Sequence, residues 1–359
     1  MYGGAGNDSV FADDKVDYSY GGAGDDQVTI YFDLGGAAYG GAGTDTLVMN
    51  YIGSSLNTAG LNYDVSVTRR GPGAGATAGP DGITLSGFEI LHITTYSGDD
   101  TVQGGNQNDE INVYTGANMV RAMGGDDHVF FMAGQTNTMD GGTGQDTLSI
   151  TAWEDLDGLT LTVNGTSATD DVGSVLTGFE QWLVDGSSFD DHVQLGNGRD
   201  WMRGRAGADV AQGMGGHDRL DGGSGADSLD GGNGRDVLRG GQDIDTLTGG
   251  RGADTFHFGR LFSTGDAITD FVSGVDHIEI GARIVGLAMP AGIVDDSHFH
   301  LNAALGIEGQ FVYRMTVDTH QGALIWDANG MTDGGEILIA VLDGVPTLLA
   351  ADLSVLTLA

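Results

Sequence analysis

"GGSGADSLD" (222–230) runs directly into "GGNGRDVLR" (231–239), and "GGAGNDSVF" (3–11) has the same order of residues near the start of the chain. Each stretch has glycine at positions 1, 2 and 4, aspartate at position 6 and an apolar residue at position 8. Numbered in this way, the nine-residue unit runs seven times without a slip from residue 195 to residue 257. A period this regular makes a repeat architecture the first structural hypothesis.

Fifteen units in the chain share the aspartate and the apolar residue two places after it. The aspartates are Asp8, Asp26, Asp45, Asp100, Asp109, Asp127, Asp146, Asp191, Asp200, Asp209, Asp218, Asp227, Asp236, Asp245 and Asp254. The apolar residues are Val10, Val28, Leu47, Val102, Ile111, Val129, Leu148, Val193, Met202, Ala211, Leu220, Leu229, Leu238, Leu247 and Phe256. One apolar side chain in nine is too few for an amphipathic helix. It suits the middle residue of a very short strand, pointing inward.

The six glycine-rich residues of each unit then form a turn, because glycine accepts backbone angles that other residues resist. Alternating turns and strands produce a flattened coil with one circuit per two units. A single circuit buries almost nothing, so its stability depends on stacking against its neighbours. The sequence therefore predicts an all-β protein, a parallel β-roll or β-helix solenoid with a β-cap at its C-terminal end.

A longer repeat overlies the short one and suggests the organisation of the chain. The motif "LSGFEIL" (85–91) reappears as "LTGFEQW" (176–182), and each copy is followed by a double aspartate. The insertions around these motifs alternate Thr, Val, Leu and Ile, which predicts longer β-rungs that continue the solenoid. We predict four segments: a first long unit with a β-rung insertion (1–103), a second related unit (104–194), an uninterrupted β-roll (195–257) and a capping domain (258–359).

The composition narrows the possible partners. The chain has 51 Asp and Glu against 14 Lys and Arg, a formal net charge of -37. This charge disfavours nucleic acid and anionic membranes as partners and favours cations. A content of 40% hydrophobic residues, placed periodically, argues against disorder. The sequence has no cysteine and no apolar run long enough to span a membrane.

Stacking aligns the aspartates in columns, where unpaired carboxylates one strand spacing apart would repel one another. Calcium between successive turns removes that repulsion, because Ca²⁺ takes six to eight oxygens from carboxylates and backbone carbonyls. Zinc lacks its usual cysteine and histidine ligands here, and magnesium prefers to keep its water. The glycines expected to expose carbonyls beside the aspartates are Gly4, Gly6, Gly22, Gly24, Gly41, Gly43, Gly142, Gly144, Gly207, Gly216, Gly223, Gly225, Gly232, Gly234, Gly250 and Gly252.

The pattern GGxGxDxUx, with U apolar, resembles the RTX (hemolysin-type) calcium-binding nonapeptide repeat of type I-secreted bacterial exoproteins. The resemblance implies a β-roll with calcium ions between turns two units apart, so about five ions are expected in the seven-unit run and a few more in the earlier units. Some turns depart from the pattern, including "GRAGAD", "GMGGHD" and "GSSFDD" (186–191), and their sites are less well supported.

The last hundred residues also resemble the end of such exoproteins. The segment 264–280 is similar to the part that caps RTX rolls, and the stretches 311–317, 322–330 and 336–342 predict strands, with an Asn-Gly turn at 329–330. The final "ADLSVLTLA" resembles an uncleaved type I secretion signal, and the chain starts without an N-terminal signal peptide. We therefore expect a secreted, extracellular or cell-surface bacterial protein that meets the type I secretion machinery through its C-terminus.

No enzyme motif is recognisable. The sequence contains neither H-E-x-x-H nor G-x-S-x-G, and "WDANGMTDGGE" (326–336) does not match an EF-hand. We expect His298 and His300 to form a surface pair. The four tryptophans are expected to fill the wider rungs or cap the core rather than stack on sugars: Trp153, Trp182, Trp201 and Trp326.

Three roles therefore compete. The first is a calcium-binding secretion and folding module of a larger exoprotein, which a start inside a repeat favours. The second is an S-layer or adhesin segment that self-associates through calcium, and the third is a polysaccharide-modifying enzyme acting on the β-helix face. Surface polysaccharide is a possible partner in the last of these. We expect the chain itself to have no catalytic activity.

Overall fold

The structure is a computed structural model. It describes residues 1–12, 17–31, 36–50, 77–78, 83–86, 88–97, 99–152, 157–259, 265–281, 292–293, 299–301, 310–316, 321–327, 336–344 and 348–356. Several predictions from the sequence lie outside these ranges: Trp153, His298, the Asn-Gly turn at 329–330 and the last three residues of the proposed secretion signal. The described chain divides into two compact units, residues 1–152 with 163–183 and residues 153–162 with 184–359.

The first unit is made of short strands. They are β1 (Tyr2–Ala5), β2 (Ser9–Ala12), β3 (Asp17–Ala23), β4 (Gln27–Tyr31), β5 (Gly36–Ala42), β6 (Thr46–Asn50), β7 (Thr77–Ala78), β8 (Ile83–Ser86), β9 (Ile90–Ser97), β10 (Thr101–Gln103), β11 (Glu110–Thr115), β12 (Met119–Arg121), β13 (His128–Met132), β14 (Thr138–Asp140), β15 (Thr147–Thr151), β17 (Ser167–Asp170) and β18 (Val175–Thr177). Strands β16 (Thr160–Asn164) and β19 (Gln181–Asp185) contain residues of both units. In the first unit the strands stack in parallel in the orders β1-β3-β5-β8, β2-β4-β6-β9-β11-β13-β15 and β10-β12-β14-β18.

The second unit continues the same construction. Its strands are β20 (His192–Gln194), β21 (Trp201–Ala206), β22 (Val210–Gln212), β23 (Gly215–Gly216), β24 (Arg219–Ser224), β25 (Ser228–Asp230), β26 (Asn233–Gly234), β27 (Val237–Gln242), β28 (Thr246–Thr248), β29 (Arg251–Gly252), β30 (Thr255–Phe258), β31 (Asp266–Ile268), β32 (His277–Gly281), β33 (Gly292–Ile293), β34 (Phe299–Leu301), β35 (Gln310–Thr316), β36 (Gln321–Asp327), β37 (Glu336–Asp343) and β38 (Leu353–Leu356). The described residues contain no α-helix, and a 3₁₀ turn at Ala350–Asp352 is their one helical element. None of the described helices could cross a membrane.

Strand register confirms the nonapeptide period. In the first unit Val10 is paired with Val28 and Val28 with Leu47, and in the second Leu220 is paired with Leu238. All fifteen position-8 residues named above are buried. Within each unit these side chains stack on one another in the interior, as the sequence predicts for a parallel β-solenoid.

The insertions of the first unit and the C-terminal strands of the second unit depart from simple parallel stacking. In the first unit β7 pairs with β8, and β17 with β18, in antiparallel fashion within the predicted insertions. In the second unit β31 pairs in parallel with β37, and β35, β36 and β37 form an antiparallel sheet. The three strands predicted between 311 and 342 are therefore confirmed. The four-segment division of the chain stays a prediction.

Two buried tryptophans match the expectation of a core role, and a third does not. Trp182 and Trp326 are fully buried. Trp201 is partly exposed on the outer side of β21, with the Arg203 guanidinium carbon 5.7 Å from its ring centroid. The difference arises because Trp201 precedes the inward Met202, and successive side chains of a strand point to opposite faces.

Most of the turns have left-handed backbone at positions 2 and 4, even where the residue is not glycine, but the turns that carry Asp109, Asp191 and Asp200 do not. Met123, Arg205 and Met214 occupy position 2 with φ of 82°, 77° and 67°, and Asp243 occupies position 4 with φ of 74°. For residues with a β-carbon this conformation costs about 1 kcal/mol or more. In the turns that adopt this shape, stacking therefore imposes the angle on residues other than glycine as well.

Replacing Met214 with glycine is expected to stabilise the protein by about 0.5–1 kcal/mol, because it relieves this strain and removes a half-exposed side chain with little burial. Thermal unfolding in saturating calcium measures the change. Met202→Gly is the contrasting variant: Met202 is fully buried, so its loss should destabilise by several kcal/mol. A Met214→Gly protein that unfolds at a lower temperature than the parent would contradict the strain argument.

Candidate metal sites in the glycine-rich turns

The position-6 aspartates form hydrogen-bonded columns. In each column the backbone N–H of one aspartate donates to Oδ1 of the aspartate on the next circuit, as from Asp209 to Asp227 and from Asp218 to Asp236, both at 2.8 Å. The other pairs, donor first, are Asp8–Asp26, Asp26–Asp45, Asp109–Asp127, Asp127–Asp146, Asp191–Asp209, Asp200–Asp218, Asp227–Asp245 and Asp236–Asp254. One carboxylate oxygen of each accepting aspartate is thus used to tie neighbouring circuits together.

The columns extend to residues that the sequence reasoning did not include. Asp245 and Asp254 donate to Oδ1 of Asp266 and Asp276, so the columns continue past Phe258, where the nonapeptide was expected to stop. In the first unit, Asp45 and Asp146 donate to Oε2 of Glu89 and Glu180. Both glutamates stand in the repeated "GFE" of 85–91 and 176–182, so the sequence did contain a signal for them.

One column in the first unit carries amides in place of carboxylates. The Asp100 N–H donates to Asn118 Oδ1, the Asn118 N–H to Asn137 Oδ1 and the Asn137 N–H to Ser174 Oγ. Asn118, Asn137 and Ser174 are buried. Asparagine and serine make the same hydrogen bond as aspartate without charge, so this column carries a carboxylate only at Asp100.

The second carboxylate oxygen, Oδ2, is buried and has no hydrogen-bond partner within the described residues in thirteen of these aspartates. They are Asp8, Asp26, Asp45, Asp100, Asp127, Asp146, Asp209, Asp218, Asp227, Asp236, Asp245, Asp254 and Asp266. Four others have this oxygen satisfied by a backbone N–H of their own turn: Asp109, Asp191, Asp200 and Asp276. An unpaired buried oxygen is costly, and its repetition indicates positions suited to an electropositive ligand.

Backbone carbonyls border the same space. A β-carbon built on Gly231 would lie 2.8 Å from Asp236 Oδ2 and 2.8 Å from the carbonyl oxygen of Gly249 on the next circuit. The corresponding distances at Gly213 are 2.6 Å to Asp218 Oδ2 and 2.6 Å to the Gly231 carbonyl oxygen. Carboxylate and carbonyl oxygens converging on one small space are the ligand type that calcium prefers, so the residues present fit this ion.

The side chains by themselves do not form a metal site. Among the described residues no three His, Cys, Asp or Glu side chains gather where they could hold a metal. The carboxylates are spread along the columns, and the ion implied by the oxygens would take much of its coordination from backbone carbonyls. All sixteen glycines named in the sequence analysis have positive φ, as the turn requires. Their role and that of the aspartates as ligands stay predictions.

Without a bound cation, burial raises the pKa of many of the column aspartates. Loss of hydration, reinforced by neighbouring carboxylates and only partly offset by the column hydrogen bond, raises the pKa of Asp218 and of Asp227 to about 8. The same causes raise the pKa of Asp127, Asp209 and Asp266 to about 7. Burial also raises the pKa of Asp45, Asp245 and Asp254 to about 6. The ion-free fold therefore disfavours the charged form of its own columns.

A second hydrogen-bonded column runs along position 5, which the pattern GGxGxDxUx leaves unspecified. Here the side chain of one circuit accepts from the N–H of the following circuit, the reverse of the aspartate columns. Asn7 Oδ1 accepts from Asp25 N–H at 2.9 Å, and Asp25 Oδ1 accepts from Thr44 N–H at 2.8 Å. In the second unit His217 Nδ1 accepts from Arg235 N–H at 2.9 Å. Neighbouring turns are thus tied in both directions.

The family comparison agrees with this geometry. The family described as "RTX calcium-binding nonapeptide repeat (4 copies)" matches residues 1–28, 94–129, 185–220, 194–229, 204–238 and 230–260. The chain carries RTX nonapeptide repeats in these residues. RTX repeats are calcium-binding repeats, and the matched segments contain most of the aspartate columns described above. Asp266, Asp276, Glu89 and Glu180 lie beyond the matched residues.

Two solved structures are similar to this chain. One is the AlgE6R3 subunit of the Azotobacter vinelandii mannuronan C5-epimerase, at 24% identity over 46% of this chain and 78% of that chain, with a TM-score of 0.27. The other is the extracellular lipase LipA of Serratia marcescens, at 17% identity over 77% of this chain and 44% of that chain, with a TM-score of 0.23. No curated protein sequence matches the chain significantly.

Proposed function

We propose that this chain is a secreted RTX β-roll that folds when calcium fills its turns outside the cell, and that it is the export and folding module of a larger bacterial exoprotein. The observation that carries the proposal is the recurring buried Oδ2 atom without a partner, which borders a backbone carbonyl of the next circuit. Calcium supplies two positive charges at each such place. The proposed activity of the chain is calcium binding coupled to folding, without catalysis.

The electrostatics support a folding switch. Without calcium, folding brings carboxylates into buried columns and raises their pKa, while the net charge of -37 favours an expanded chain. The 65 glycines add a large loss of conformational entropy on folding. Calcium that binds only the folded state shifts the balance towards folding by mass action. The chain then stays unfolded and ready for export in the low-calcium cytosol, and it folds in the calcium-rich medium outside the cell.

The C-terminal strand supports export before folding. Strand β38 is paired in parallel with β32, and its residues Leu353 and Val355 are buried. Asp352, directly before the strand, accepts hydrogen bonds from Ser273 Oγ and the Gly274 N–H. A secretion machine that reads the C-terminus, as proposed here, needs this segment free, and only the unfolded chain offers it.

The test is circular dichroism of the chain stripped with a chelator and titrated with calcium, with magnesium as the ionic control. We expect a cooperative gain of β signal with calcium and none with magnesium at equal concentration. A full β spectrum in chelator would overturn the switch, because the apolar column would then suffice for folding.

The substitution Asp227→Asn tests whether a column aspartate is a calcium ligand. Asparagine can still accept the Asp209 N–H bond, but the charge at the unpartnered oxygen is lost. We expect the calcium midpoint of folding to rise about tenfold, since an ion loses a charged ligand worth about 1.5–3 kcal/mol. Asp230→Asn is the matched control: it removes the same charge three residues away at a position outside the columns. Equal midpoints for both variants would remove Asp227 from the set of ligands.

A further inference from the structure

The basic residues of this acidic chain are concentrated in one place. Residues 199–251 contain seven of the 14 Arg and Lys residues, all of them arginine. The same stretch has nine aspartates, but six of these are the buried position-6 residues. The other acids within this stretch are Asp221, Asp230 and Asp243, and Asp185, which lies before it, pairs with two of the seven arginines.

Strand geometry brings several of the arginines to one outer surface. Strands β21, β24 and β27 are in parallel register, with Met202, Leu220 and Leu238 pointing into the core. The alternating residues therefore point outward. We call the surface formed by Arg199, Trp201, Arg203, Arg219, Arg235 and Arg239 the basic face.

The position-5 column aligns the edge of the basic face. Arg199, His217 and Arg235 stand at position 5 of three successive circuits, and the Arg235 N–H donates to His217 Nδ1. All three side chains are exposed. Arg199 and Arg235 are therefore two circuits apart along this edge, about 10 Å, with the imidazole of His217 between them.

Two guanidinium groups of the basic face are available to a ligand. Arg203 and Arg205 both bind Asp185, and Arg239 lies 3.2 Å from Asp221. Within the described part of the chain, by contrast, no acidic side chain forms an ion pair with Arg219 or Arg235, and both are exposed. The partly exposed ring of Trp201 is paired across the strands with Arg219.

We propose that the basic face binds a linear anionic polysaccharide that carries carboxylate or sulfate groups. Arginine binds both groups through two parallel hydrogen bonds, and the indole offers an apolar surface to a sugar ring. The regular spacing of the circuits favours a polymer with repeated charges over a single anion. A double-stranded nucleic acid is too broad for a strip three circuits long, and the acidic remainder of the chain repels it.

The proposal adds a ligand to the β-roll and does not depend on how the chain is exported. It is tested with the full chain in saturating calcium, by measuring binding to hyaluronate, to chondroitin sulfate and to neutral dextran at about 100 mM salt, where long-range charge effects are largely screened. Hyaluronate probes carboxylates alone, and chondroitin sulfate adds sulfate.

The decisive variant is the double substitution Arg219→Gln with Arg235→Gln, with Arg121→Gln as the matched control. Arg121 is an exposed strand arginine of the first unit. We expect the double variant to bind the anionic polysaccharides about tenfold more weakly and each single variant about threefold. Arg121→Gln and binding of dextran should show no effect. Trp201→Ala should weaken binding of the polysaccharides but not of inorganic sulfate.

Several results would overturn the proposal. These are an absence of binding by the parent protein, an equal loss in Arg121→Gln, unchanged binding by the double variant, or equally tight binding of duplex DNA. Circular dichroism of each sample separates a folding defect from a binding defect. A chain that needs no calcium to fold but binds hyaluronate through the basic face would refute the proposed function and leave this inference standing.

Discussion

Gly216→Ala is expected to destabilise the calcium-loaded protein by about 3 kcal/mol or more. Gly216 stands at position 4 of its turn with φ of 135°, a conformation that disfavours any residue with a β-carbon. The added methyl would also lie 2.6 Å from the carbonyl carbon of Gly198 on the preceding circuit and closer still to its oxygen. Because the clash is with backbone, the two circuits must separate.

The measurement is thermal unfolding in saturating calcium together with the calcium midpoint of folding. Gly134→Ala is the matched control, because Gly134 also has positive φ, 102°, but a β-carbon there meets nothing within 4 Å. It should lose about 1 kcal/mol, the cost of the backbone conformation alone. Similar losses in the two variants would show that close contact between circuits contributes little.

The second large effect is the dependence of folding on pH. Burial raises the pKa of Asp218 and Asp227 to about 8 in the ion-free fold, against an unfolded value near 3.9. Since the fold binds protons that the unfolded chain has released, the stability of the ion-free fold is fully present below about pH 4 and is lost as the pH rises through 6 to 8. In chelator, the β signal should therefore be stronger at pH 5 than at pH 8.

Calcium removes this dependence. The ion needs the carboxylates deprotonated, so the calcium-loaded fold and the unfolded chain both hold them ionised above about pH 6. Folding by calcium then displaces no protons, and we expect the calcium midpoint to be no higher at pH 6 than at pH 8. Circular dichroism titrations at several pH values measure it. A midpoint at least about tenfold higher at pH 6 would contradict this expectation, because the unfolded chain would then have to hold protons that the calcium-loaded fold has lost.

The sequence predicted the repeating part of the fold because one rule applies to every circuit. The inward residue at position 8 and the turn glycines at positions 2 and 4 follow directly from the nonapeptide, and the structure confirms both for residues such as Leu229 and Gly223. The predicted strands of the last hundred residues are confirmed as well. In each case the residue types express a local preference that stacking reinforces.

The parts that the sequence reasoning missed depend on which circuits become neighbours. Asn118 and Asn137 break the aspartate rule, so their place in a column is visible only when the circuits are stacked. The same holds for His217 at position 5 and for Asp266 after the repeat has ended. The basic face was missed because its arginines are scattered in sequence and meet only across strands β21, β24 and β27.

Glu89 and Glu180 show how the stack tolerates extra sequence. They accept the column hydrogen bond from residues 44 and 34 positions earlier, where most of the other column bonds join residues 18 or 19 apart. Whatever the intervening chain does, the longer glutamate side chain returns it to the column and the following circuits resume their register. An insertion within one circuit therefore leaves the stacking of the other circuits unchanged. New loops can be acquired at these two places, and exchanged for others, while every other rung keeps its neighbours.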